Sequence, residues 1–165
     1  HGDFNTPETT ESGFLGGMAL AGAVGLWDAG LGAEPFPAEQ VVMAGVRDLD
    51  ARERELLEKS PASVVGAGLD TLVAVQNAVD RAPVYIHLDV DVLDPEFMPA
   101  QFPVAGGLRP DKLYDLLDSV LEDSELVGLE VTAIELPEDE EERAVAIETA
   151  MHVLEPFLDH LSGTA

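Results

Sequence analysis

Residues 84–92 read VYIHLDVDV. A stretch this rich in β-branched and aromatic residues belongs in a strand, and no other segment restricts the possible folds as much. Its neighbours alternate with it. Short apolar runs at 41–46 (VVMAGV) and 63–68 (SVVGAG) read as further strands, as does LVGLEVTAIEL at 126–136. Between them lie helical patterns. A glycine-loaded helix is expected over 14–28, holding Met18 and Trp27 in the core. Another runs from Asp50 to Leu57, with Asp50 and Glu53 placed as a capping box, and a third from Asp70 to Asp80. Pro110 and Asp111 open a helix lined on one face by Leu113, Leu116, Leu117, Val120 and Leu121. Glu140 to Leu161 forms a long last helix, with a kink expected at Pro156. Strands and helices alternating at this spacing imply βαβ units and a parallel sheet. The reading is an α/β protein, with residues 1–165 as a single domain.

Composition removes several classes of partner. Thirty-three acids face eight bases, giving a formal net charge of −25. Such a surface repels nucleic acid and anionic membrane and attracts cations. No apolar stretch is long enough to span a bilayer. Cysteine is absent, so neither disulfides nor thiolate chemistry arise. No basic segment leads into an apolar run at the start, and a cytoplasmic location is expected. The acidic run Glu138–Glu142 precedes an apolar-periodic segment, where carboxylates complement a helix N-terminus.

The chemistry concentrates in HLDVDVLDP. On a continuous strand Asp89 and Asp91 share a face, where two carboxylates repel and are costly to bury. A divalent metal relieves that repulsion. The end of such a strand also falls where open parallel sheets bind ligands. Without metal, the pair fits an exposed edge strand or a loop cap. An EF-hand loop fails, because Leu93 and Asp94 stand at its fifth and sixth positions and Ala100 at its twelfth. A phosphatase of the haloacid dehalogenase type fits DVDVL, with Asp89 as nucleophile, Asp91 as general acid and Lys112 as the phosphate lysine. That reading leaves the opening HGDFN unexplained. His1 and Asp3, added to Asp89 and Asp91, make one imidazole and three carboxylates, a mixture that suits Mn²⁺. His87 is read as out of phase with the carboxylates and assigned to packing, while His152 and His160 are read as surface or packing residues.

These motifs together resemble the ureohydrolases, the family of arginase, agmatinase and formimidoylglutamase. HGDFN resembles the family's DAHxDxN motif without its first two residues. NTPETTESG resembles the segment after it, and GVRDLDARE a later turn of arginases. HLDVDVLDPEFMPA and PVAGGL are similar to the SFDVDxLDPxxxP signature and its following glycine pair.

The resemblance implies a three-layer αβα fold with a mainly parallel sheet, incomplete in this chain. The chain would then be the C-terminal portion of a longer protein, cut within its metal motif and inactive alone. The resemblance also implies a binuclear manganese centre in which His1, Asp3, Asp89 and Asp91 are four of six ligands. Asp3 then counts as a catalytic residue, and Asn5, Ser12 and Asp50 meet the substrate. Such a centre makes water a nucleophile near neutral pH, to attack a guanidino or amidino carbon and release urea, or a related amide, and an amine. A small cationic substrate and a homo-oligomer, trimeric or hexameric, belong to the same implication. Two positions depart from arginases. Gly16 stands where a proton-shuttling histidine is found, and Ala133 (or Glu135) where a glutamate grips the guanidinium. A non-catalytic scaffold of the same fold would carry such changes too.

Overall fold

The computed structural model describes residues 1–30 and 32–163. The chain divides into two compact units, His1–Gly66 and Ala67–Ala165.

The first unit is a small βαβ arrangement behind a long opening loop. Strand β1, Val42–Ala44, pairs in parallel with β2, Ser63–Val65. A helix, Ala51–Lys59, makes the crossover, the usual way to join parallel neighbours. Gly45, in the left-handed region at φ +80°, ends β1 two residues sooner than its apolar run suggests. The helix expected over 14–28 is much shorter. A 3₁₀ turn at Gly16–Met18 leads into α1, Ala19–Ala23, and the crossover helix is therefore α2. Gly25 at φ +78° closes that segment, with Leu26 N bonding Ala21 O at 2.9 Å. Glycine makes a helix costly to extend and cheap to stop. Phe4, Ala21, Met43 and Leu57 form the core of this unit, and Trp27 packs against it while its indole N–H donates to Met18 O at 3.0 Å.

The second unit begins with α3, Thr71–Val79, and continues with β3 (Val84–Asp89), α4 (Pro110–Asp123), β4 (Leu126–Thr132) and α5 (Glu140–Ser162). β3 and β4 are parallel, with His87 opposite Glu130 and Asp89 opposite Thr132. Helix α4 buries all five apolar residues of its expected face and carries Pro110 in its first turn, where a missing N–H costs nothing. Helix α5 is capped by Asp139, whose Oδ1 accepts from Glu141 N and Glu142 N at 3.0 Å. The acidic run is therefore a helix start, as its position before the apolar period implies. Ala146, Ala150, Val153 and Phe157 form its buried stripe, and Pro156 is accommodated within the uninterrupted helix.

Two strand boundaries differ from expectation. The segment 84–92 is extended only to Asp89, and Val90–Val92 form a 3₁₀ turn, so Asp89 and Asp91 do not share a strand face. The Asp89 carboxylate accepts from Asp91 N at 2.9 Å, offering the backbone a local partner in place of the ladder. β4 stops at Thr132 because Ala133 takes φ +58°. Among the described residues no helix is long and apolar enough to cross a membrane.

Candidate metal centre

In the first unit the opening loop is tied to the start of α2. Phe4 N donates to Glu53 Oε1 at 2.8 Å, and Asp50 N donates to Glu53 Oε2 at 3.0 Å. Glu53 is 4% exposed. Burial pushes its carboxyl above the ordinary glutamate value; the two N–H donors pull it down, and the charges of Asp50 and Asp3 push it up. A Cβ on Gly2 would crowd the Leu49 and Glu53 side chains, lying 2.6 Å from Glu53 Oε1, so a larger residue there would have to displace the carboxyl that anchors the loop. Asp3 follows in the left-handed region at φ +51°, and its carbonyl accepts from Leu20 N at 3.0 Å and Ala21 N at 3.2 Å. The backbone of Asp3 is thus bound to α1. His1 Nε2 lies 3.7 Å from Asp48 Oδ2.

Asn5 is buried and used on both ends of its amide. Its Nδ2 donates to Asp50 Oδ2 at 2.9 Å, and its Oδ1 accepts from Thr9 Oγ1 at 2.9 Å. Asp50 in turn completes the reciprocal capping box with Glu53. His1, Asp3, Asn5 and Asp50 are therefore held by one loop–helix junction. Ser12 is exposed, its Oγ accepting from Phe14 N at 3.1 Å, and no hydrogen bond among the described residues joins it to Asn5 or Asp50.

In the second unit Asp89 closes β3 and Asp91 sits in the turn after it, 7% exposed. Burial pushes the Asp89 carboxyl above the usual aspartate value. The charge of Asp91 acts the same way, against the Asp91 N–H and the His87 ring. His87 corrects the sequence reading. It stands two residues before Asp89, which on a strand is the same face, and it is exposed rather than packed. Its Nδ1 is 3.0 Å from Glu130 Oε2, and its Nε2 is 3.5 Å from Thr132 Oγ1.

The donor chemistry fits a divalent cation. Two neighbouring carboxylates, partly withdrawn from water, with burial and the charge of Asp91 raising the proton affinity of Asp89, gain from a positive ion beside them. Among the described residues no three His, Cys, Asp or Glu side chains gather as one ion-holding group. Lys112, the lysine of the phosphatase reading, is exposed and ion-paired to Asp115 at 2.9 Å.

Asp94 explains the rest of the LDP and glycine-pair pattern. Its Oδ2 accepts from Gly106 N at 2.7 Å and Gly107 N at 3.2 Å, and its Oδ1 from Glu96 N at 3.1 Å. A Cβ on Gly107 would lie 2.4 Å from Asp94 N and 2.5 Å from the Leu93 carbonyl carbon, so only glycine lets the two segments meet. Leu93 and Leu108 then form a parallel bridge beyond β3. Sequence reading used Glu53 only as half of a capping box and passed over Asp94 as an anchor; an aspartate ahead of a glycine pair was the available signal.

The model of the family described as "Arginase family" matches residues 1–157. The chain belongs to the arginase family. It is 43% identical over 159 residues to the N(omega)-hydroxy-L-arginine amidinohydrolase of Streptomyces lavendulae, covering 96% of this chain and 58% of that protein. The crystal structure of arginase from Bacillus subtilis superposes with a TM-score of 0.84 at 26% identity, covering 96% of this chain and 58% of that one. Arginase from Bacillus cereus gives 0.83 at 28%, covering 94% and 58%. The chain thus spans 58% of the length of these relatives. Parallel strands joined by helices are the expected α/β class, an incomplete arginase-like fold, and membership of the arginase family displaces the phosphatase alternative. Of the positions that depart from arginases, Gly16 begins the 3₁₀ turn with the Phe14 ring 2.5 Å from where its Cβ would be. Ala133 and Glu135 are both exposed.

Proposed function

We propose that this chain carries part of the catalytic apparatus of a manganese-dependent ureohydrolase, cleaving a guanidino or amidino C–N bond to release urea, or a related amide, and an amine. The observation that carries this reading is that one family match spans both carboxylate-bearing motifs, HGDFN and DVD. His1, Asp3, Asp89 and Asp91 would hold two manganese ions together with further donors of the family's set of six. When bound, the ions supply Lewis acidity and make water nucleophilic near neutral pH.

The chain's own residues would do the positioning. Asp3 is assigned the catalytic role; α1 fixes its backbone, and Glu53 fixes the next amide, so its carboxylate is presented from a restrained loop. Asn5, Ser12 and Asp50 are assigned to the amino-acid end of the substrate. Asp50, locked in its capping box, also orients the Asn5 amide. The net charge of −25 favours a small cationic guanidino or amidino substrate. A cytoplasmic homo-oligomer, trimer or hexamer, completes the proposal.

The test joins this chain to the preceding segment of the Streptomyces lavendulae relative. The purified chimera is assayed with Mn²⁺ on arginine, Nω-hydroxyarginine and agmatine. Manganese-dependent cleavage of one of them, lost in Asp91→Asn, is the expected result. A folded, manganese-loaded chimera inert on all three would overturn the reading.

A further inference from the structure

Helix α5 is apolar on two adjoining stripes. The buried one is Ala146, Ala150, Val153 and Phe157. One residue further round the helix, Ala144, Ile147, Met151, Leu154, Leu158 and Leu161 follow one another at spacings of three and four. Ile147, Met151, Leu158 and Leu161 are 46–73% exposed and Ala144 is exposed too, while Leu154 is partly buried. The mean period is about 3.5 residues, that of a seam against another helix. Along the helix this makes a strip about 25 Å long. Isolated exposed leucines are ordinary on a protein surface, but an unbroken strip marks an interaction surface.

Charge and length decide between the possible occupants. Glu148 and Glu155 border the strip on the side away from the buried stripe, and both are exposed. Each copy of the chain carries a net charge of −25, so a second copy or an anionic membrane meets repulsion there. The arginases that superpose on 94–96% of this chain carry further structure, since the chain spans 58% of their length. Helices covering one face of a parallel sheet lie side by side. A helix with one stripe in the core and a second beside it is therefore built for a neighbouring helix.

We propose that the strip from Ala144 to Leu161 docks a helix from the portion of the arginase fold that this chain does not span, whether that portion is joined to the chain or supplied as a second polypeptide. Removal of Ile147, Met151, Leu158 and Leu161 from water drives the docking, and the three–four spacing sets the partner's axis close to parallel or antiparallel with α5. The proposal rests on family membership and does not involve manganese, so its failure would leave the metal reading intact.

The chain contains no cysteine, so single thiols report on the strip directly. Met151→Cys and Leu158→Cys place one on it. Val145→Cys places one on the same helix at an exposed position away from it. Labelling by N-ethylmaleimide is followed without metal, in the 165-residue chain and in the same chain joined to the preceding segment of the Streptomyces lavendulae relative. In the chain alone all three thiols should react at similar rates. In the joined protein those at 151 and 158 should react at least about tenfold more slowly, and that at 145 as before. Adding Leu158→Glu to the joined Met151→Cys protein should restore fast labelling, and circular dichroism checks that α5 is intact in each variant. Fast labelling of 151 and 158 in the joined protein, or equal slowing at all three positions, would overturn the proposal. Protection in the chain alone that grows with protein concentration would overturn it too, by assigning the strip to a second copy.

Discussion

Asn5 Nδ2 donates to Asp50 Oδ2 at 2.9 Å, joining the opening loop to the start of a helix 45 residues later. The same carboxylate accepts the backbone N–H of Glu53 in the capping box. Removing it orphans two donors at once. Asp50→Ala is expected to lower the urea-unfolding free energy by about 1–3 kcal/mol, a lost cap plus an unsatisfied buried amide. Asp50→Ser, which keeps the cap but does not reach Asn5, should fall between the two.

Glu53 makes the stability of the first unit depend on pH. Its carboxyl titrates above the ordinary glutamate value in the folded chain because it is buried. Between the unfolded value, near 4.5, and the raised folded one, the native state therefore binds more proton than the unfolded state. By linkage, stability falls as pH rises through that window, and this contribution is fully present only below it. Urea unfolding measured from pH 4 upward should show that decline. Glu53→Gln should flatten it, because the amide mimics the protonated carboxyl in shape and does not titrate.

Gly107 has no space for a methyl group against the backbone of Leu93 and Asp94. Gly107→Ala should cost about 1–3 kcal/mol or more, since backbone rather than a flexible side chain must move. Asp94→Asn should cost less. Its amide oxygen, standing where Oδ2 does, can still accept from both glycine N–H groups, and only the Glu96 N–H loses its acceptor. Thermal melts of the two variants give the order directly.

Legibility in the sequence followed the length scale of each interaction. Helix α4 could be read because five apolar residues recur at helical spacing, and burial obeys that period. The capping box of α2 and the acidic start of α5 were equally visible, since caps are local chemistry. Helix α1 was overextended, because the left-handed turn at Gly25 outweighs an apolar period that continues through it. Asp91 was set on the strand because pattern reading ignores the side-chain bond by which Asp89 curls the backbone. His87, two residues before Asp89, shares its strand face instead of lying out of phase with it, and Glu130 and Thr132 meet its ring there. Of the residues assigned to substrate, the Asn5–Asp50 bond was out of reach of sequence alone, being long-range.

The central claim is that HGDFN and DVD donate to the same manganese centre. The most direct measurement is a Mn²⁺ titration followed by electron paramagnetic resonance of the free ion, run on the chain and on Asp3→Ala and Asp91→Ala. One variant comes from each motif. The account predicts saturable binding by the parent chain and a loss of at least about tenfold in affinity for both variants. Saturable binding that Asp91→Ala abolishes and Asp3→Ala leaves untouched would contradict it.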